Sequence, residues 1–220
     1  VKPWVELARA RADGGGMLSL HRRGDELVIK VDGELLMSNR QHGSEERLAE
    51  LGCGGLGAAA PRVLIGGLGL GYTLRATLAV VPATARVVVA EIAAPLVEWN
   101  RELLGPEFAA PLADPRVVVE VGDVGAQLAA PAAFDAILYD VDNSPHALTR
   151  PANAALYGAA GLARARAALR RGGRLAVWSA VHDAGFERRL AAAGFRAASH
   201  TARARAGAGS RHTIYVGTVA

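Results

Sequence analysis

Three acids and a run of glycines carry the chemistry of this 220-residue chain. The stretch Arg62 to Arg75, RVLIGGLGLGYTLR, passes from a short apolar run, Val63–Ile65, into glycines at 66, 67, 69 and 71, and then into a helical pattern. A buried strand, a tight glycine turn and a helix start together make a nucleotide cradle. Glycine lets the main chain approach a ribose or phosphate, and the first helical turn presents unpaired N–H groups. Gly67, Gly69, Leu70 and Gly71 are its candidate contacts. Glu91 ends the next apolar run, and a carboxylate there can accept from both ribose hydroxyls. Gly122-Asp123 ends the third run, where the acid can accept from an adenine amino group. The fourth ends in Tyr139-Asp140-Val141-Asp142-Asn143-Ser144-Pro145, a polar cluster directly after a buried run, where burial without use is costly. Four successive strand ends with the expected group define an adenosyl site.

The elements that position these residues follow from the pattern. From Pro61 onward strands alternate with helices: strands at Arg62–Gly66, Arg86–Glu91, Arg116–Val121, Phe134–Asp140 and Gly173–Ser179, and helices at about Tyr72–Val80, Ala94–Leu104, Val124–Ala130 and Asn153–Arg170. A helix over Ala184–Ala193 and strands near Phe195–Thr201 and His212–Thr218 close the chain. Runs such as Val87-Val88-Val89 suit a parallel sheet buried on both faces, whose ligands gather at the carboxyl ends of the strands. Ahead of this lies a smaller unit. The first fifteen residues read as an amphipathic or frayed segment. Met17–His21, Glu26–Val31 and Glu34–Ser38 read as short strands joined by Gly24-Asp25 and Asp32-Gly33 turns. Gln41–Leu51 reads as a helix entered at Ser44 with Glu45 and Glu46 in its first turn. The expected architecture is α/β: a three-layer Rossmann-like sandwich with a mostly parallel seven-stranded sheet, plus a small N-terminal antiparallel β-hairpin unit. The expected division is 1–52 for the hairpin unit with its helix and 61–220 for the adenosyl-binding Rossmann-like domain.

Composition narrows the class. No run of about twenty apolar residues suggests a membrane span, and Val1-Lys2-Pro3-Trp4 lacks a signal-peptide layout. The single cysteine, Cys53, gives neither an internal disulfide nor a zinc pattern. A cytoplasmic protein is expected, and no metal, since the acids and histidines show no ligand spacing. The net charge of +4 is uneven. From Arg170 onward nine arginines face only Asp183 and Glu187. Such a region can meet nucleic acid, but no aromatic interleaving accompanies it, and a solvated arginine-rich surface is the simpler reading.

The order of elements resembles the class I S-adenosylmethionine-dependent methyltransferases and, more narrowly, the spermidine synthase (polyamine aminopropyltransferase) family. Gly67–Tyr72 followed by Thr73-Leu74-Arg75 stands where that family has GGGDGG and a Leu-Arg pair. Val89-Ala90-Glu91-Ile92 stands at its V-E-I-D, bringing Ile92 into the nucleoside contacts. Asp114-Pro115-Arg116 is its D-P-R, Asp140 its catalytic-loop acid, and Leu156-Tyr157 its L-F/Y. Three departures bear on the reaction. The acid within GGGDGG, which in the family faces the amino end of decarboxylated S-adenosylmethionine, is Leu70. D-S/T-S/T-D-P becomes Asp140-Val141-Asp142-Asn143-Ser144-Pro145. The Tyr-His-Glu segment becomes Ser44-Glu45-Glu46-Arg47.

The resemblance implies transfer from a sulfonium, with Asp140 orienting or deprotonating the acceptor, Asp142 beside it and Tyr157 walling the pocket. Gln41, His42, Asn143 and His146 are candidate acceptor contacts, with Glu45 in the same polar connector. Trp178 reads as core or pocket wall, and Arg211-His212 can reach the same mouth. An acid beside the intact cofactor's carboxylate would cost roughly 4 kcal/mol at 4 Å and an effective dielectric near 20. Leu70 removes that cost, so the leading expectation is methyl transfer from S-adenosylmethionine to a small-molecule acceptor such as an amine. The alternative is a polyamine aminopropyltransferase using decarboxylated S-adenosylmethionine. An RNA-modifying methyltransferase and a catalytically silent binding protein are the remaining readings. Relatives dimerise through comparable hairpin regions, so a homodimer is expected.

Overall fold

The computed structural model describes residues 2–12, 16–141, 154–205 and 208–220. An antiparallel sheet of four strands comes first, in the order β1 (Val5–Arg11), β2 (Met17–Arg23), β3 (Glu26–Val31) and β4 (Glu34–Ser38). The segment expected to be helical or frayed is therefore a strand. VELARAR lacks β-branched residues after Val5 and is otherwise made of helix formers, so β1 is set against local propensity by its pairing with β2 from Val5↔Arg22 to Arg11↔Met17.

The second sheet has seven strands: β5 (Arg62–Gly66), β6 (Arg86–Glu91), β7 (Val117–Val121), β8 (Phe134–Tyr139), β9 (Leu169–Ser179), β10 (Phe195–Arg205) and β11 (Ala208–Val219). Their spatial order is β10-β11-β9-β8-β5-β6-β7. The pairs from β9 to β7 are parallel, and β11 runs antiparallel to both β9 and β10. The chain leaves β5 toward β6 and later returns to pair β8 on its other side. That reversal opens a crevice at the carboxyl ends of β5, β6 and β8.

Both faces of this sheet are covered. On β8, Ala136 and Leu138 join one core cluster with Ile65, Val87 and Leu48, while Ile137 and Tyr139 join the other with Leu162, Phe186 and Tyr215. Alternate side chains of one strand thus enter opposite cores. Helices α1 (Gly43–Cys53), α2 (Tyr72–Val80), α3 (Ala94–Glu102), α4 (Pro106–Leu112), α5 (Ala154–Tyr157), α6 (Ala159–Ala168) and α7 (Ala184–Ala192) supply the layers, with a 3₁₀ turn over Val124–Ala129. Helix α1, grouped by sequence with the hairpin unit, instead buries Leu48, Ala49 and Cys53 against the large sheet. Helix α4 was not expected. Pro106 occupies its first turn, where the missing N–H costs nothing. The long helix expected over 153–170 is two described pieces, and β9 begins earlier, at Leu169.

A third cluster joins the small sheet to the crevice. Leu18, Leu20 and Ile29 pack with Leu70 and Tyr72 of the glycine turn and with Leu96, Trp99 and Phe108. Among the described residues no helix is long and apolar enough to cross a membrane.

Candidate active site

The glycine turn is held from three sides. Gly67 has φ +91°, and its N–H donates to the Ala90 carbonyl at 2.9 Å. The Asp140 N–H donates to the Gly66 carbonyl and the Gly122 N–H to the Glu91 carbonyl, each at 2.9 Å, so the four strand ends are laced together by main chain. Gly71, at φ +75°, is the left-handed residue that starts α2. From α3 the fully buried Asn100 reaches back, its Nδ2 donating to the Gly69 carbonyl at 2.8 Å and to the Leu96 carbonyl at 2.7 Å.

Glu91 is buried at the end of β6. Its Oε2 accepts from the Leu68 N–H and its Oε1 from the Ala93 N–H, both at 2.8 Å. These bonds fix the carboxylate and leave each oxygen a second lone pair for a ribose hydroxyl. Glutamine can present only one acceptor, so Glu91→Gln strands one buried N–H opposite an amide donor. A loss of about 1–3 kcal/mol in denaturant unfolding is expected, together with weakened adenosine-nucleoside binding by calorimetry.

A cavity of about 640 Å³ lies over these strand ends. Gly67, Gly69, Leu70, Glu91, Ile92, Gly122, Asp123, Asp140 and Gln41 line it. Gly71 supports the turn from behind. Asp123 also caps the 3₁₀ turn, its Oδ1 accepting from the Gly125 N–H at 2.5 Å, which leaves Oδ2 for a ligand. Two expected residues lie elsewhere. Tyr157 is 2% exposed in the core, edge-on to Tyr139 at 6.2 Å and Phe186 at 5.9 Å, so it does not wall the pocket. His42 stacks on Tyr72 at 4.2 Å and meets Glu46 through Nδ1 at 2.8 Å, acting as a support rather than a lining residue. Asp142, Asn143 and His146 lie outside the described residues.

At one end of the cavity Asp140 meets residues that the sequence offered only beside the main motifs. Asp140 Oδ2 accepts from Thr73 Oγ1 at 2.7 Å, which joins β8 to the first turn of α2. Glu45, from α1, lines the same cavity, as do Trp178 and His212. Burial pushes the Asp140 carboxyl up to about 6, against the Thr73 hydrogen bond, with Glu91 adding like charge. Burial and, after it, the Asp140 charge raise Glu45 to about 7 against the opposing Ser44 hydrogen bond. Two carboxyls this placed favour sharing a proton near neutrality over both being charged. The indole N–H of Trp178, buried in the cavity wall, has no partner among the described residues. Met37 and Leu36 form a lid-side wall, and a Cβ on Gly69 would come 2.8 Å from Met37 Cε.

These features define a crevice at the strand ends of an α/β sheet with paired carboxyls at one end. They suit an adenosyl sulfonium: a rigid ribose acceptor in Glu91, apolar sides in Ile92 and Val124, and glycines where a Cβ would obstruct. Comparison with solved structures agrees on the fold. Spermidine synthase from Thermotoga maritima superposes with a TM-score of 0.78 at 18% identity, covering 98% of this chain and 73% of its own. A spermidine synthase in complex with the transition state analogue AdoDATO gives 0.76 at 17% identity, covering 98% and 72%. A probable spermidine synthase from Corynebacterium glutamicum ATCC 13032 gives 0.67 at 18%, covering 96% and 79%. The chain therefore shares the fold of these spermidine synthases. No protein-family model matches the sequence, and no curated protein matches it.

Proposed function

We propose that this protein transfers an aminopropyl group from decarboxylated S-adenosylmethionine to an amine. The observation that carries this reading is the charge of the cavity. Asp32, Glu45, Glu91, Asp123 and Asp140 line it, and no Lys or Arg does among the described residues. A decarboxylated donor has a sulfonium and an ammonium, and an amine acceptor arrives as a cation, so every charge finds a carboxylate. The carboxylate of intact S-adenosylmethionine would face acids alone. Leu70 had favoured the intact cofactor, but its side chain is buried against Leu18 and Leu96, and five acids remain without it. The structural neighbours are spermidine synthases, one of them bound to a transition state analogue, which supports the aminopropyl reading over the methyl one. Methyl transfer is the second reading, favoured by Leu70. Assays with putrescine and each donor in turn separate the two, and product from intact S-adenosylmethionine alone overturns the proposal.

When bound, the decarboxylated cofactor supplies an electrophilic carbon on a positively charged sulfur. The chain's part is to fix the adenosine through Glu91 and the glycine turn, and to hold an amine unprotonated against that carbon. Asp140, fixed by Thr73, accepts the amine proton. Glu45 supplies the second negative partner for the cation.

This electrostatic arrangement has a signed consequence. Both carboxyls are raised above their ordinary values, so the folded chain holds protons that the unfolded chain releases. Their contribution to stability is full below about pH 4 and is lost as the pH rises through 6 to 7. A cation in the cavity restores it. Putrescine is expected to raise the melting temperature more at pH 8 than at pH 5 in scanning fluorimetry. Equal shifts at both values would contradict a cation-binding cavity.

A further inference from the structure

Behind Glu45 runs a chain of hydrogen bonds that the transfer step itself does not use. Ser44 Oγ donates to Glu45 Oε2 at 2.5 Å, and His212 Nδ1 lies 2.8 Å from the same Ser44 Oγ. Ser44 is fully buried, whereas His212 is partly buried, its ring edge-on to Trp178 at 4.8 Å. The three residues come from α1 and β11, 168 positions apart between Ser44 and His212. A buried hydroxyl wedged between a carboxyl and an imidazole has one donor to give, so its direction depends on where the proton sits.

We propose that Glu45, Ser44 and His212 form a proton relay that carries the acceptor amine's proton out of the cavity. The proposal rests on the amine-transferase reading. With Glu45 ionised, Ser44 donates to Glu45 and accepts from Nδ1–H of His212. The amine proton taken by Asp140 passes on to Glu45 and turns the chain round: Glu45 donates to Ser44, Ser44 donates to Nδ1, and the ring exchanges its Nδ1 hydrogen for one on Nε2 through solvent. Glu45 Oε2 then gives its proton to Ser44 Oγ, Ser44 gives its own to Nδ1, and the ring releases its Nε2 hydrogen to solvent, which restores the first state with one proton moved outward. Ser44 and His212 act through Glu45 and are positioning residues. Burial lowers the basicity of His212, so the ring passes the proton on rather than keeping it. The groups facing Glu45 are Asp140 from the end of β8, Glu46 on its own helix and Tyr72 on α2, with Arg75 of α2 held by Glu46 at 3.7 Å. Asp140 makes Glu45 the site of the shared proton, and Glu46, paired to Arg75, adds little.

The test is nitrogen NMR of ¹⁵N-histidine-labelled full-length protein across pH 5–9, without ligand. The expected result is a His212 tautomer that changes from Nε2–H to Nδ1–H as Glu45 ionises. That inflection should vanish in Ser44→Ala and Glu45→Gln and persist in Ser44→Thr, which keeps the hydroxyl. No inflection in the wild type, or one surviving Ser44→Ala, overturns the relay. With putrescine and the decarboxylated donor, Ser44→Ala should lower kcat about 10-fold with KM for the amine within 2-fold, and Ser44→Thr should recover it. An unchanged kcat in Ser44→Ala overturns the relay and leaves the transferase reading intact. The converse result, a wild-type inflection with no turnover of any amine, removes the transferase reading and supports the proton chain on its own.

Discussion

Asp140→Asn is expected to lower amine transfer by about 10²–10⁴-fold while leaving nucleoside affinity within a few-fold. The substitution is isosteric. The asparagine oxygen can still accept from Thr73 Oγ1, so the end of β8 and the start of α2 stay joined. What disappears is the negative charge beside the amine and the acceptor for its proton. The same change should stabilise the fold at pH 8 and not at pH 5, because it removes a buried like charge that acts on Glu45 and feels Glu91. Loss of activity joined to a gain in alkaline stability distinguishes a functional acid from a structural one. Stopped-time product assays and urea titrations at both pH values check it. A variant with wild-type rates would remove Asp140 from the reaction.

The contrast between Asp140 and Tyr157 shows how far the sequence could be read. Asp140 follows a strand whose alternate residues fill two cores, and that pattern places its end at the crevice without further information. Tyr157 has a motif position but no pattern to say which way its ring turns, and the aromatic pair Tyr139 and Phe186 claims it for the core. The parallel strands were legible because β-branched runs have few other destinations. Strand β1 and helix α4 were not, since VELARAR is made almost wholly of helix formers and PEFAAPL has Pro111 inside the helix. Both depend on tertiary partners: β2 for the strand, and for the helix the cluster containing Phe108. The Ser44–His212 contact lies beyond any local rule, because it joins segments from opposite ends of the chain. Asn100 left a faint signal, a polar residue among Leu96, Val97 and Trp99 on the buried side of α3. Its role becomes visible only with the Gly69 carbonyl in place.

Those cross-chain contacts also explain why the glycine turn should be the least tolerant part of the site. Gly67→Ala is expected to cost at least about 2–3 kcal/mol and to abolish transfer. An added Cβ would lie 2.2 Å from the Asp140 carbonyl oxygen and 2.9 Å from its carbon. Both are main chain at the end of β8, so no side chain can swing aside. The φ of +91° adds a penalty of roughly 1–2 kcal/mol for any L side chain. Relief requires the turn and the end of β8 to part. That movement pulls the Gly67 N–H from Ala90 and the Leu68 N–H from Glu91, and it shifts the main chain that carries the Asp140 carboxyl. One methyl group therefore disturbs the ribose acceptor and the proton acceptor together. Gly57→Ala is the control: nothing lies within 4 Å of its Cβ, and the loss of unfolded-state freedom should leave it neutral or slightly stabilising. Paired urea titrations and transfer assays test the difference. If Gly67→Ala matched Gly57→Ala in both, the close approach of the turn to β8 would not be what holds the site in register.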